Sequence, residues 1–170
     1  MSRPQAYDEL NIGDRWRSQG RTITQADVVN FACVTGDFDP LHVDHESARE
    51  SNFGQPIAHG LLGLSFVAGL GLHSPWAATI AFTGIQEWRF HRPLYVGDTV
   101  HVITEILDKH PHGRRQGAIT WKRQLVNQKD EVVQEGTFQT LVAMAHAVKH
   151  KIGQLNTASE SDKGLRVASA

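Results

Sequence analysis

A single cysteine, Cys33, stands in the 170 residues, so no disulfide can form within the chain. Flanked by Phe31, Ala32 and Val34, it is expected to be a small buried hydrophobe rather than a reactive thiol. Charge of one sign is equally scarce. The 17 Lys and Arg are balanced by 18 Asp and Glu, a formal net charge of −1. That removes the global field that draws proteins to nucleic acid or anionic membranes. No apolar run is long enough for a bilayer: Leu61 to Leu72, the longest, falls short of the ~20 residues needed. The first residues lack an apolar h-region, so no signal peptide is expected and the cytoplasm is the simplest compartment. Internal repeats and low-complexity blocks are also missing. What remains, 40% apolar and 21% charged residues, is ordinary for a soluble domain with one core. That domain is expected over 1–146, with 147–170 a poorly ordered tail of little periodicity.

Along the chain, a strand is expected from Arg15 to Ile23. Thr24 then caps a helix, with Asp27 as the reciprocal partner of a capping box. Val28, Val29, Ala32 and Cys33 form its apolar face and Gly36 its stop. From Asp37 to Pro56 the pattern turns irregular, with one short helix around His45 to Glu50. Gly60 to Leu72 is apolar all round, which calls for a helix buried on all sides. Its Gly63, Gly69 and Gly71 are costly for a helix but let a sheet approach closely. After it β signals dominate: Ile80 to His91, Thr99 to Leu107, and a hairpin of Ala118–Val126 and Val132–Met144 around Asn127–Asp130. One buried helix followed by a run of antiparallel strands indicates an α+β domain whose sheet wraps the helix, the hot-dog architecture.

The densest polar text is Thr35-Gly-Asp-Phe-Asp-Pro-Leu-His-Val-Asp44, followed by Gln55-Pro-Ile-Ala-His-Gly60. Pro40 keeps Asp39 out of the helical region, so Asp37 and His42 sit on a shaped loop where they can converge. A carboxylate and an imidazole that converge can hold a water and move its protons. His59-Gly60 opens the buried helix. Its first N–H groups have no intrahelical partner and its dipole favours negative charge, while Gly60 carries no side chain to block an approaching oxygen. That describes a site for a thioester oxygen becoming an enolate.

Gly36-Asp-Phe-Asp-Pro-Leu-His-Val-Asp44 with Pro56-Ile-Ala-His-Gly60 resembles the signature of MaoC-like dehydratases and (R)-specific enoyl-CoA hydratases. The resemblance covers roughly residues 7–146, including Arg92-Pro-Leu-Tyr-Val-Gly-Asp98. It implies reversible hydration of a trans-2-enoyl-CoA to a (3R)-hydroxyacyl-CoA. Asp37 and His42 would activate the water and Gly60 N–H would bind the thioester oxygen. It also implies a homodimer, and coenzyme A only as part of the substrate, with no separate cofactor. Where relatives often carry Asn, this chain has Asp39, read as a turn cap rather than a charge that perturbs Asp37. Hydratase relatives place a hydroxyl further along the central helix, for which Ser65 is the candidate.

His59, Ser65, Arg89 and Arg92 complete the expected substrate-binding set. Arg89 and Arg92 are joined by Arg114, Arg115, Lys122 and Arg123 as candidate partners of the CoA phosphates. Trp88 and Trp121 read as core or interface residues. His42, Asp44, His45 and His59 are metal-ligand types, but no HExxH or cysteine pair supports them, and no metal is expected. A thioesterase would need a carboxylate on the central helix, and residues 61–72 contain none. A non-catalytic acyl-CoA-binding subunit is the other alternative, weakened because both Asp37 and His42 are present.

Overall fold

A computed structural model describes residues 3–148. The tail expected over 147–170 therefore lies, from residue 149 on, outside the described residues. The capping box at Thr24 forms: Asp27 N–H donates to Thr24 Oγ1 (3.2 Å) and Thr24 N–H returns a bond to the Asp27 carboxylate (2.8 Å). It starts α1, Gln25–Thr35, which Gly36 ends in the left-handed conformation (φ 79°). The inward row is Val28 and Ala32, one turn apart. Val29 and Cys33 face outward, so the expected burial of Cys33 is wrong. The row that packs is the neighbouring one, a rotation of one residue that short apolar text does not resolve.

The first strand splits into β1, Arg15–Arg17, and β2, Arg21–Thr22, both paired with the same neighbour. Between them Ser18 N–H donates to the Val102 carbonyl (2.9 Å), and its hydroxyl accepts from Val102 N–H (2.8 Å) in place of a backbone carbonyl. Two short helices follow, α2 (Pro40–Val43) and α3 (His45–Arg49), then the long α4 (Gly60–Gly71). Strands β3 (Thr79–Phe90), β4 (Thr99–Pro111), β5 (Gln116–Val126) and β6 (Val132–Ala143) are antiparallel, in the order β1-β4-β5-β6-β3, with β2 also on β4. In β5 the inward set Ile119, Trp121, Arg123 and Leu125 alternates with half-buried polar residues, the period of a sheet with one face on a core.

The sheet wraps α4, as the hot-dog arrangement requires. Leu62, Phe66 and Val67 of the helix join Val100, Val102, Ile106, Ile119, Trp121, Leu125 and Phe138 of the strands in one buried cluster. Gly63 and Gly71 are where the sheet comes closest. A Cβ at Gly63 would collide with the Gln134 amide and lie 2.7 Å from Leu94 Cδ1, and one at Gly71 would lie 2.8 Å from Arg123 Nη1. Gly69 meets nothing within 4 Å, so close approach does not explain it. Nor is α4 buried all round: Leu61, Ser65, Ala68 and Leu72 form an exposed face. Strand β3, at the sheet's edge, likewise exposes Ile80, Phe82, Ile85 and Phe90. Its alternation is interrupted by a bulge at Glu87, which has φ 52°. Among the described residues no helix is long and apolar enough to cross a membrane.

One buried titratable group makes the fold sensitive to pH. His101, buried on the face of β4 opposite the core residues Val100 and Val102, is held below the ordinary imidazole range by burial first and by the Arg17 charge second, with Asp130 opposing. A group whose folded value is depressed stabilises fully above its unfolded value of ~6.5. That contribution is lost as the pH falls toward the folded value. The urea midpoint should therefore fall from pH 7 to pH 5, and His101→Gln should flatten that fall. Parallel profiles for the two proteins would show that His101 is not responsible.

Candidate active site

The left-handed turn at Gly36 throws the chain out of α1 and into Asp37–Asp39. Asp39 (φ −53°, ψ 132°) is the N-cap of α2, its carboxylate accepting from Leu41 N–H at 2.8 Å, with Pro40 in the first helical position. Asp44 caps α3 in turn, accepting from Glu46 and Ser47 N–H at 2.9 and 3.2 Å. The stretch expected to be mostly irregular thus holds two capped helical turns. Proline bars its predecessor from the helix but is itself a favoured first residue, and α2 follows from the second half of that rule. The Asp39 carboxylate is used by the cap.

On α2, His42 Nδ1–H donates to the Ile57 carbonyl at 2.7 Å. A carbonyl only accepts, so the neutral ring carries its hydrogen on Nδ1 and keeps a lone pair on Nε2. His59 lies behind it, 3% exposed, and its ring stacks on that of His42 with centroids 3.8 Å apart. By the same logic His59 Nε2–H donates to the Asp37 carbonyl at 2.9 Å. Its Nδ1 is buried without a partner among the described residues, and Phe31 flanks the ring at 5.2 Å. The Asp37 carboxylate is 52% exposed and 3.9 Å from His59 Nε2. The ligating atoms of Asp37, His42 and His59 all lie within 4.8 Å of one another. His59 therefore holds the Asp37 backbone with its edge and the His42 ring with its face.

These three are the described residues that could meet at a metal ion. A metal-bound imidazole nitrogen must be bare and aim along its ring plane at an ion ~2.0–2.1 Å away. Here the two rings lie face against face, so their in-plane lone pairs do not converge on one point. The trio fits a hydrogen-bonded stack better than a chelate.

Beside the pair opens a cleft of about 290 Å³, lined among others by His42, Ile57, Gly60, Phe90, Arg92, Leu94 and Gln134. One wall is the start of α4. Its N-cap, His59, makes no side-chain capping bond, and no acidic residue lies in the first turn. The helix therefore presents uncompensated N–H groups and the positive end of its dipole to the cleft. A Cβ at Gly60 would lie 3.0 Å from the Phe90 ring, so a larger residue there would need that ring to give way.

The other expected site residues divide. Arg92 lines the cleft, 3.4 Å from Glu131. Arg89 lines a separate depression with Glu87, Lys122 and Glu135. Ser65 lies on the exposed face of α4, its hydroxyl donating to the Leu61 carbonyl (2.9 Å), and is not among the residues that line the cleft. Of the remaining cations, Lys122 pairs with Glu135 at 3.4 Å. Arg123 is buried against α4, donating to the Gly71 carbonyl over the Phe138 ring, and burial pushes its guanidinium down to about 10. Trp121 is core and Trp88 half-buried, packed on Phe138. Sequence reasoning missed Gln134, 2% exposed and in the cleft wall. A glutamine in phase with the inward Phe138 and Val142 of β6 was the available signal.

Residues 9–127 match the profile of the MaoC like domain. The chain belongs to that family. MaoC of Klebsiella aerogenes is 40% identical over 96 residues, which are 56% of this chain but 29% of that protein. The (R)-specific enoyl-CoA hydratase of Aeromonas caviae is 37% identical over 98 residues, 57% of this chain and 71% of that one. Among solved structures, the MaoC-like dehydratase from Rhodospirillum rubrum is 32% identical, covers 82% of this chain and 97% of its own, and superposes with a TM-score of 0.72. A Mycobacterium tuberculosis protein described as a double hot-dog fold superposes at 0.75 with 20% identity, over 84% of this chain and 45% of its own, which speaks for the fold alone. This MaoC-like chain is thus a hot-dog protein of the hydratase and dehydratase kind.

Proposed function

We propose that this MaoC-like protein adds water reversibly to a trans-2-enoyl-CoA, giving a (3R)-hydroxyacyl-CoA. The observation that carries the reading is His42, which lines a cleft whose wall is the uncapped start of α4 at Gly60. It has the Asp37 carboxylate within 4.8 Å of its ring nitrogen, although Asp37 itself is not among the residues that line the cleft. One water making ordinary hydrogen bonds of ~2.8 Å can bridge two groups at that separation. Asp37 and His42 orient it and take one of its protons while its oxygen bonds to C3. The pair of electrons displaced from the double bond moves toward the thioester oxygen, which the Gly60 N–H and the helix dipole stabilise. The proton taken up by the pair is then delivered to C2, which returns both groups to their starting state, and the water's second hydrogen stays on the new hydroxyl. Arg92, which lines the cleft, would be the cation that meets a CoA phosphate.

The working unit in this reading is a homodimer. The exposed apolar side chains of edge strand β3 and the exposed face of α4 are liabilities in a monomer, and pairing β3 with its twofold copy would cover them. An unpaired, exposed Cys33 suits a reducing compartment such as the cytoplasm.

A panel of enoyl-CoAs of increasing chain length, followed by loss of the conjugated thioester absorbance, tests the activity. Light scattering on the same sample tests the assembly. Hydration of at least one member by a dimer is expected. No turnover across the panel would overturn the catalytic reading, and a monomer at micromolar concentration would overturn the dimer.

A further inference from the structure

We propose that Gln134 is a positioning residue for the helix start that binds the thioester oxygen, an inference that rests on the hydratase reading of Gly60. Its side chain bridges two elements. Its Nε2–H donates to the Gly60 carbonyl at 3.1 Å, and its Oε1 accepts from Trp88 Nε1–H at 3.3 Å. The indole can only donate and the carbonyl can only accept, so these two bonds fix which end of the amide faces which way. At 2% exposure the amide is shielded from competing water, where such a bond holds geometry well.

The surroundings are cut to admit this amide. Gly63, one turn into α4, lacks the Cβ that would occupy its place. Gly136, next inward on β6, lies under Trp88, where a Cβ would be 2.6 Å from the indole. Trp88 is further held against Phe138 by an edge contact at 5.5 Å.

The need for such a pin comes from Gly60 itself. Glycine is the residue least restrained by its own sterics, and it stands in a first turn that no side chain caps. An oxyanion donor acts through preorganisation and loses effect when displaced by a fraction of an ångström. By holding the Gly60 carbonyl, Gln134 fixes the peptide that follows Gly60. Polarising that peptide also strengthens its N–H, that of Leu61, as a second donor. The chain thus spends a buried polar residue of the sheet on the geometry of the helix start rather than on substrate contact.

The test compares Gln134→Met, close in size but unable to make either bond, with Gln134→Glu and Trp88→Phe. Three quantities are read: kcat and KM for an enoyl-CoA, the thermal midpoint, and the infrared carbonyl stretch of bound 1-13C-butyryl-CoA. The expected result for Gln134→Met is a kcat at least ~10-fold lower with KM within about threefold. The downshift of the bound carbonyl should shrink in parallel. Trp88→Phe, which frees the amide to rotate, should fall between Gln134→Met and wild type. Gln134→Glu, which keeps the acceptor for Trp88 and removes the donor to Gly60, should resemble Gln134→Met. An unchanged carbonyl shift in Gln134→Met, with kcat falling only as far as stability falls, overturns the proposal and assigns Gln134 a purely structural role. If Gln134→Met fails to fold, the Gln134→Glu and Trp88→Phe carbonyl shifts decide in the same way. A wild-type protein that neither hydrates an enoyl-CoA nor shifts the carbonyl overturns the reading of Gly60, and the pin with it.

Discussion

Asp37→Asn should lower kcat at least ~100-fold and leave KM nearly unchanged, with His42→Ala doing the same. General acid–base groups contribute ~10²–10⁴-fold, and both side chains address one water in the proposed reaction. The amide of Asn keeps the shape of the carboxylate but cannot take a proton at the same oxygen. Alanine at position 42 removes the Nε2 lone pair that the Nδ1 bond to Ile57 leaves available. Because the two groups act as a unit, the double variant should lose little more than the worse single one. Asp39→Asn is the control two residues away. Its side chain still accepts from Leu41 N–H, so α2 keeps its cap and kcat should stay within about tenfold. An active Asp37→Asn beside a dead Asp39→Asn would show that the wrong carboxylate has been named.

The second large effect is on stability. Trp121 is 1% exposed, and its indole donates to Thr140 Oγ1 at 2.8 Å across β5 and β6. Trp121→Ala removes the largest core side chain and leaves the Thr140 hydroxyl without that partner. Large-to-small changes at such sites cost ~3–5 kcal/mol, a large share of the ~5–15 kcal/mol typical of a domain. Urea denaturation at fixed protein concentration should show the midpoint falling sharply with an unchanged slope. A loss under ~1 kcal/mol would mean that the sheet does not close over this residue as described.

Those two residues also mark what could be read in advance. That Asp37, His42 and the helix start at Gly60 come near one another is legible because each is tied to a local device: a glycine stop, a proline, a helix start. Trp121 is legible as core or interface from its place between Ile119 and Leu125 in β5, although Arg123 takes one of the same inward places. Arg89 and Ser65 were not placed as expected, since membership of a site depends on which face of an element meets the cleft, and sequence distance does not carry that. Ser65 turns back onto its own helix, and Arg89 follows a bulge that resets the strand. Cys33 failed for a related reason, a helix rotated by one residue. Gln134 escaped because a buried glutamine has no motif of its own; only its phase on β6 marks it.

The order of the strands has a kinetic consequence. β4, β5 and β6 are joined by the short turns 112–115 and 127–131 and pair as successive hairpins. β3 instead pairs with β6, across everything between Phe90 and Val132. The entropy lost on closing a loop grows with its length, so contacts distant along the chain are the slower ones to form. The hairpins can therefore assemble before β3 docks. Phe90 and Gln134, which flank Gly60 from the two late-meeting strands, come together only at that last step. An intermediate with most of its sheet would still lack the cleft, and recovery of activity during refolding would lag behind recovery of β-structure.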